Sequence, residues 1–131
     1  MVSLLGDRIM AATRILIVDD VPQVREELRT LLSLAGDIEI VGEATNGMDA
    51  IRRAEAIWPE VVLMDLEMPI LDGYEATRQI KAHDPSCRVV ALTVHGYEDA
   101  REKAIQAGVD AFVIKGAPLQ MLVQAISERK E

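Results

Sequence analysis

Cysteine is almost missing: Cys87 is the only one in 131 residues. One thiol closes no internal disulfide and builds no cysteine-based zinc cluster, a usage that suits a reducing cytoplasm. Long apolar runs are missing too. None approaches the ~20 residues that cross a bilayer, which excludes an integral membrane protein. Positive charge is in deficit, with 14 Lys and Arg against 22 Asp and Glu and a net of −8. Such a chain repels phosphate backbones, so direct DNA binding by this segment is excluded. Gly-x-Gly-x-x-Gly and Gly-x-x-x-x-Gly-Lys are both absent, so there is no glycine-rich cradle for a nucleotide. There is no internal repeat, low-complexity stretch or long linker. The opening MVSLLGDRIMAA does not place positive charge ahead of a proper apolar core, as a secretory signal would. Met10 is a candidate start.

What is present is an ordinary globular balance, 50% hydrophobic and 27% charged, in a length that fits one domain with a core of its own. We read residues 1–13 as an N-terminal extension and 14–131 as the domain. Arg14–Val18 is a β-branched run and predicts a buried strand. Pro22 suits the first turn of a helix. Val24, Leu28, Leu31, Leu32 and Ala35 then form an apolar stripe at helical spacing, with Gly36 as the stop. Ile38–Ala44 predicts a second strand. Thr45 or Asn46 caps a helix to about Ala56, with Pro59 beyond it. Val61–Met64 predicts a third strand, followed after a Pro- and Gly-containing loop by a helix ending near Ala82. Arg88–Leu92, a helix over Tyr97–Ala107, Ala111–Ile114 and a last helix opened by Pro118 complete five strand–helix alternations. Short, nearly all-apolar strands between amphipathic helices indicate an α/β domain, a parallel sheet covered on both faces.

Ligands of open parallel sheets sit beyond the carboxyl ends of the strands. There this sequence sets Asp19-Asp20 after strand one, Asp65 after strand three, Thr93 after strand four and Lys115 after strand five. An Asp at a strand end is by itself most often a turn former or helix cap. The joint occurrence at four strand ends is what carries meaning. Three close carboxylates repel unless protonated or neutralised by a cation. Oxygen donors with no His or Cys beside them favour Mg²⁺. A lysine and a hydroxyl added to that cation suit the oxygens of a transferring phosphoryl group. Asp65, single and followed by a loop that can open, is the best-placed acceptor. Cys87, His83 and Trp58 are read as structural, and Ala100, Ala104 and Ala107 as a packing face.

The segments ILIVDD, VVLMDLEMPILDGYEA, ALTVH and AGVDAFVIKGA resemble the receiver domains of two-component response regulators, the type often followed by a helix-turn-helix output domain. The resemblance runs from about Arg14 to Glu128. It implies a flavodoxin-like doubly wound (βα)5 fold with parallel strand order 2-1-3-4-5. It implies that Asp65 accepts a phosphoryl group from the phosphohistidine of a sensor histidine kinase or phosphotransfer protein. Mg²⁺ would be held by Asp20, Asp65 and the main-chain carbonyl of Glu67, with Asp19 acting largely through water. Thr93 and Lys115 would bind the phosphoryl oxygens. Thr93 and the aromatic Phe112 would form the switch, and Glu67 and His95 would tune hydrolysis. The expected protein is therefore a cytoplasmic signalling switch, catalysing its own aspartyl phosphorylation and slow dephosphorylation. It would control an output, either as a stand-alone regulator or, for transcription, through a domain absent from this chain. A homodimer would form through helix four, strand five and helix five, or through helix five, with Met121 and Ala125 lining the surface. One departure is Gly116, where many receivers carry Pro after the lysine; the loop there is expected to be looser.

Two readings from other classes stand beside this one. A phosphohydrolase of the haloacid dehalogenase type would place Asp-x-Asp after its first strand, whereas Asp19 and Asp20 are adjacent. A phosphorylation-independent binding module would be expected to have lost one acid or the lysine, and none is lost.

Overall fold

The structure is a computed structural model, and it describes residues 12–94, 96 and 98–128. Five strands and five helices alternate along it: β1 (Thr13–Val18), α1 (Pro22–Ser33), β2 (Ile38–Ala44), α2 (Gly47–Ile57), β3 (Val61–Asp65), α3 (Gly73–His83), β4 (Arg88–Thr93), α4 (Glu98–Ala107), β5 (Ala111–Ile114) and α5 (Leu119–Ser127). The strands are all parallel, in the order β2-β1-β3-β4-β5. This is the doubly wound fold expected. The order reverses between β1 and β3, which places a crevice at their carboxyl ends.

The apolar runs form strands because both of their faces are covered. Side chains alternate between faces along a strand, so Ile15, Ile17, Val61, Leu63, Val90 and Leu92 pack with Leu32 of α1 and Leu122 and Ile126 of α5. Leu16, Val18, Val62 and Met64 face the other way, onto Ala50 and Ala54 of α2 and Ala76 and Ile80 of α3. Ala91 and Leu66 meet Ala104 of α4. Burying one such aliphatic side chain stabilises by roughly 1.5–3 kcal/mol, so β3, fully buried, and β1, buried from Ile15 on, anchor the domain. Among the described residues no helix is long and apolar enough to cross a membrane.

Several boundaries differ from the sequence expectation. β1 begins at Thr13, paired with Ile38, one residue before the expected domain start; residues 1–11 of the expected extension lie outside the described residues. α1 stops at Ser33, and Gly36 sits in the turn beyond it at φ +71°. Only Leu32 of its stripe is fully buried. Val24, Leu28 and Leu31 instead line an apolar groove of about 400 Å³ between α1 and the start of α5. Asn46 is the cap of α2, its side chain accepting from Asp49 N at 2.8 Å. Trp58 ends α2 at φ +53° with its ring on that of His83, 4.7 Å between centroids. Cys87 is buried, which pushes its thiol up to about 12. These three residues sit away from the carboxyl ends of the strands, in structural places, as read from the sequence.

Candidate functional site

β1, β3, β4 and β5 deliver their polar residues to one edge. Asp19, just past β1, is fully buried; Asp65, the last residue of β3, and Thr93, the last of β4, are nearly so. Asp20 is exposed, and Lys115, beyond β5, is half-buried. Carboxylate oxygens of Asp19, Asp20 and Asp65 all lie within 4.8 Å of one another. Lys115 Nζ donates to Asp19 Oδ2 at 2.7 Å and lies 3.3 Å from Asp65 Oδ1. The sequence expectation of three acids and a lysine in one place therefore matches the geometry.

Asp65 owes its position to two close approaches of backbone. Gly73 starts α3 directly against the Asp65 carbonyl, where a Cβ would collide with that oxygen. Its amide donates to Leu66 O at 3.1 Å. Gly47 starts α2 in the same way against the Leu71 carbonyl, to which its amide donates at 3.0 Å. Both ends of the loop after Asp65 are thereby fixed, and only glycine permits such contact. At the tip of that loop Ile70 stands exposed at φ +72°.

The charges do not balance. Burial first, and then the neighbouring Asp19 charge, raise Asp65 from its ordinary 3.8 to about 6, although Lys115 and the Glu67 amide pull it down. The Glu67 amide bonds Asp65 Oδ1 at 3.2 Å. Burial alone would lower Lys115, but its bond to Asp19 and the charges of both acids outweigh burial and raise it. Lys115 is thus a firmly held cation shared by Asp19 and Asp65, with Asp20 beside them. Such a set of hard oxygen donors, with surplus negative charge and one partly exposed member, fits a small divalent cation.

Other expected residues lie around this centre. Glu67 is exposed two residues past Asp65, and His95 lies outside the described residues. Phe112 is half-buried beside Leu66, Ala91 and Ala104, with the Arg101 guanidinium 5.2 Å from its ring centroid. Thr93 pairs with Ile114 and Ala91 with Phe112 across β4 and β5, so the two expected switch residues stand on adjacent strands. Gly116 takes φ +91° in a turn where Ala117 N donates to Ile114 O at 3.1 Å. Met121 is exposed, whereas Ala125 is mostly buried at the floor of the cleft beside Phe112. Ala125 therefore contributes to the core more than to a surface.

One residue that the sequence reading passed over touches the centre, and a second holds that residue. Arg25 of α1 donates Nη1 to the carbonyl of Asp19 at 2.7 Å and Nε to Glu43 Oε1 of β2 at 2.8 Å. A charged residue one short of the end of β2, and an arginine six past Asp19, were the available signals.

Known proteins fit this arrangement. Residues 15–127 match the family model described as the response regulator receiver domain. The chain is 38% identical over 113 residues to the response regulator protein VraR of Staphylococcus saprophyticus, covering 86% of this chain and 54% of that protein. It is also 38% identical over 113 residues to the response regulator GacA of Pseudomonas viridiflava, covering 86% and 53%. A LuxR-family two-component response regulator from Aurantimonas superposes with a TM-score of 0.84 at 37% identity, over 88% of this chain and 83% of that one. The chain spans about half the length of the curated relatives it matches. With the strand order, the acidic edge and the family model in agreement over nearly its whole length, the chain belongs to the receiver domains of response regulators, which are signalling proteins.

Proposed function

We propose that Asp65 is a phosphoacceptor and that the domain is a phosphorylation-driven switch. The observation that carries this is the surplus of carboxylate at the switch point of the sheet, with Lys115 bonded across it. Asp19, Asp20, Asp65 and the main-chain carbonyl of Glu67 would hold Mg²⁺. When bound, the ion neutralises the acids and draws charge from phosphoryl oxygens. An Asp65 carboxylate oxygen forms the new O–P bond as the P–N bond of a donor phosphohistidine breaks and its electron pair returns to the imidazole. The donor is a sensor histidine kinase or a phosphotransfer protein. Lys115 and the Thr93 hydroxyl take the phosphoryl oxygens, which are strong acceptors. Drawing Thr93 towards the phosphate frees space for Phe112 and remodels the α4–β5–α5 face. That face, or α5 alone, then pairs with a second copy or an output element of a transcription regulator. Glu67 and His95, two residues past Asp65 and Thr93 in the sequence, set the lifetime of the phosphoryl group by admitting or blocking the attacking water.

The test is mass spectrometry after incubation with acetyl phosphate. One phosphate should add in the presence of Mg²⁺, none with Asp65→Asn, and none when Mg²⁺ is chelated. Followed in time, Glu67→Ala and His95→Ala should still label but shift the half-life several-fold. An Asp65→Asn protein that labels like the parent contradicts the assignment.

A further inference from the structure

The acidic edge is held from behind by an ion-pair chain. Glu43 Oε2 accepts both Nε and Nη2 of Arg29, at 2.9 and 2.6 Å, while its Oε1 accepts Arg25 Nε. Those two arginines hold the Glu43 carboxyl below the usual range, the Arg29 bond foremost, against its partial burial. Arg25 is the inner member, its side chain only 15% exposed, and its free arm reaches the Asp19 carbonyl. β2 thereby grips Asp19 twice. The Ala44 carbonyl takes the Asp19 amide at 3.1 Å, and Glu43, next to it in sequence, holds the Asp19 carbonyl through Arg25.

That carbonyl belongs to the peptide joining Asp19 to Asp20. A peptide unit is planar, so fixing its oxygen fixes the direction in which the chain leaves towards the Asp20 Cα. Asp19 has anchors of its own, its Oδ1 accepting from Val21 N at 2.9 Å and its Oδ2 from Lys115. Asp20 is the exposed member of the acidic group. Turning the Asp19–Asp20 peptide would therefore move Asp20 more than the other two.

We propose that Arg25, held in place by Glu43, is a positioning residue for the divalent cation: it sets the Asp19–Asp20 peptide plane and so brings the Asp20 carboxylate to the ion. This rests on the reading of the acidic edge as a Mg²⁺ site. Charge and geometry predict opposite signs. A guanidinium bonded to the Asp19 carbonyl adds positive charge near the acidic group and weakens its attraction for a cation, so on Coulombic grounds its removal tightens Mg²⁺ binding. Removing a group that orients ligands weakens it, typically by 10–100-fold.

The experiment is a Mg²⁺ titration of the metal-free protein, followed by the amide signals of Asp20 and Glu67, at a temperature where every variant is folded by circular dichroism. Arg25→Met keeps the length and apolar stem without the charge or donors, and should raise the Mg²⁺ Kd about tenfold. Arg29→Met removes the same charge and the same kind of bond to Glu43, but no contact with Asp19, and should leave the Kd within about twofold. If Arg25→Met does not fold, Glu43→Gln carries the same expectation, a weaker Mg²⁺ affinity than that of Arg29→Met. A purely structural role would lower the metal-free melting temperature of Arg25→Met and leave its Kd unchanged, which overturns the proposal. So does tighter binding, the charge-only outcome. A parent that binds no Mg²⁺ overturns both this proposal and the reading beneath it. A parent that binds Mg²⁺ but takes no phosphate overturns the acceptor role of Asp65 and leaves the role of Arg25 standing.

Discussion

The two edges of the sheet are built from similar residues to opposite ends. At the amino-terminal edge each cation has its acceptors. Lys81 Nζ meets Asp110 Oδ2 and the Cys87 carbonyl, both at 2.8 Å, and the same Asp110 oxygen takes the Val89 amide at 2.8 Å. Arg14 spreads over the carbonyls of Trp58 and Ile57, at 2.7 and 2.9 Å, and its amide goes to Glu60. Arg88 bonds the Ala125 carbonyl at 2.7 Å. At the carboxyl-terminal edge three carboxylates gather and two of them share one lysine. Hydrogen bonding does not separate the edges, since no buried side-chain polar atom among the described residues lacks a partner. Charge does. At one edge Lys81 and Asp110 neutralise each other, and at the other the carboxylates outnumber the lysine that meets them. Folding alone gains nothing from that shortage, so it marks the edge that works on something else.

Opposite responses to charge removal would sharpen this contrast. The largest expected effect is at the neutralised edge. Asp110→Ala leaves both Lys81 and the Val89 amide short of an acceptor in a partly buried place, and should destabilise by about 2–3 kcal/mol. Chemical denaturation measures it; a loss under about 0.5 kcal/mol would erase the distinction between the edges.

Asp65→Asn should do the reverse in metal-free protein. Asp65 is an acid whose folded value, about 6, lies above its ordinary 3.8. The folded state therefore holds its proton more tightly, and the cost of the charge is fully present above pH 6. The asparagine variant should be more stable than the parent at pH 7 by about 1–3 kcal/mol. That advantage should shrink as pH falls through 6 and vanish below about 4, where parent and variant are both uncharged there. A variant less stable than the parent at pH 7 would contradict the surplus of charge.

Mg²⁺ gives a smaller increment. At ten times its Kd the ion should stabilise the parent by about 1.4 kcal/mol. Asp20→Asn, as stable as the parent without metal, should lose most of that gain. Thermal melts with and without Mg²⁺ read both quantities, and an equal gain in the two proteins would remove Asp20 from the site.

How much of this was legible in the sequence follows from what each feature depends on. Strands buried on both faces must be apolar throughout, so β1, β3 and β4 read plainly, and their polar ends marked the site with them. That Asp19, Asp20, Asp65 and Lys115 meet was legible because a parallel sheet converts position at a strand end into position in space. Arg25 and Glu43 escaped because their meeting depends on how α1 lies over β2, which no local pattern encodes. The stripe of α1 was visible as periodicity, but Val24, Leu28 and Leu31 border a groove and are not sealed inside. Periodicity gives a face and not what covers it. The end of α1 at Ser33 was missed because Gly36 satisfies the turn beyond the helix.

The most direct measurement is the titration of the Asp65 carboxyl carbon by NMR, first in metal-free protein and then with Mg²⁺. A carboxylate crowded by burial and by Asp19 should titrate near 6 without metal, and the midpoint should fall when Mg²⁺ is present, because a bound cation favours the charged form. A midpoint at an ordinary carboxylate value in metal-free protein, unmoved by Mg²⁺, would contradict an acidic edge that is short of a cation.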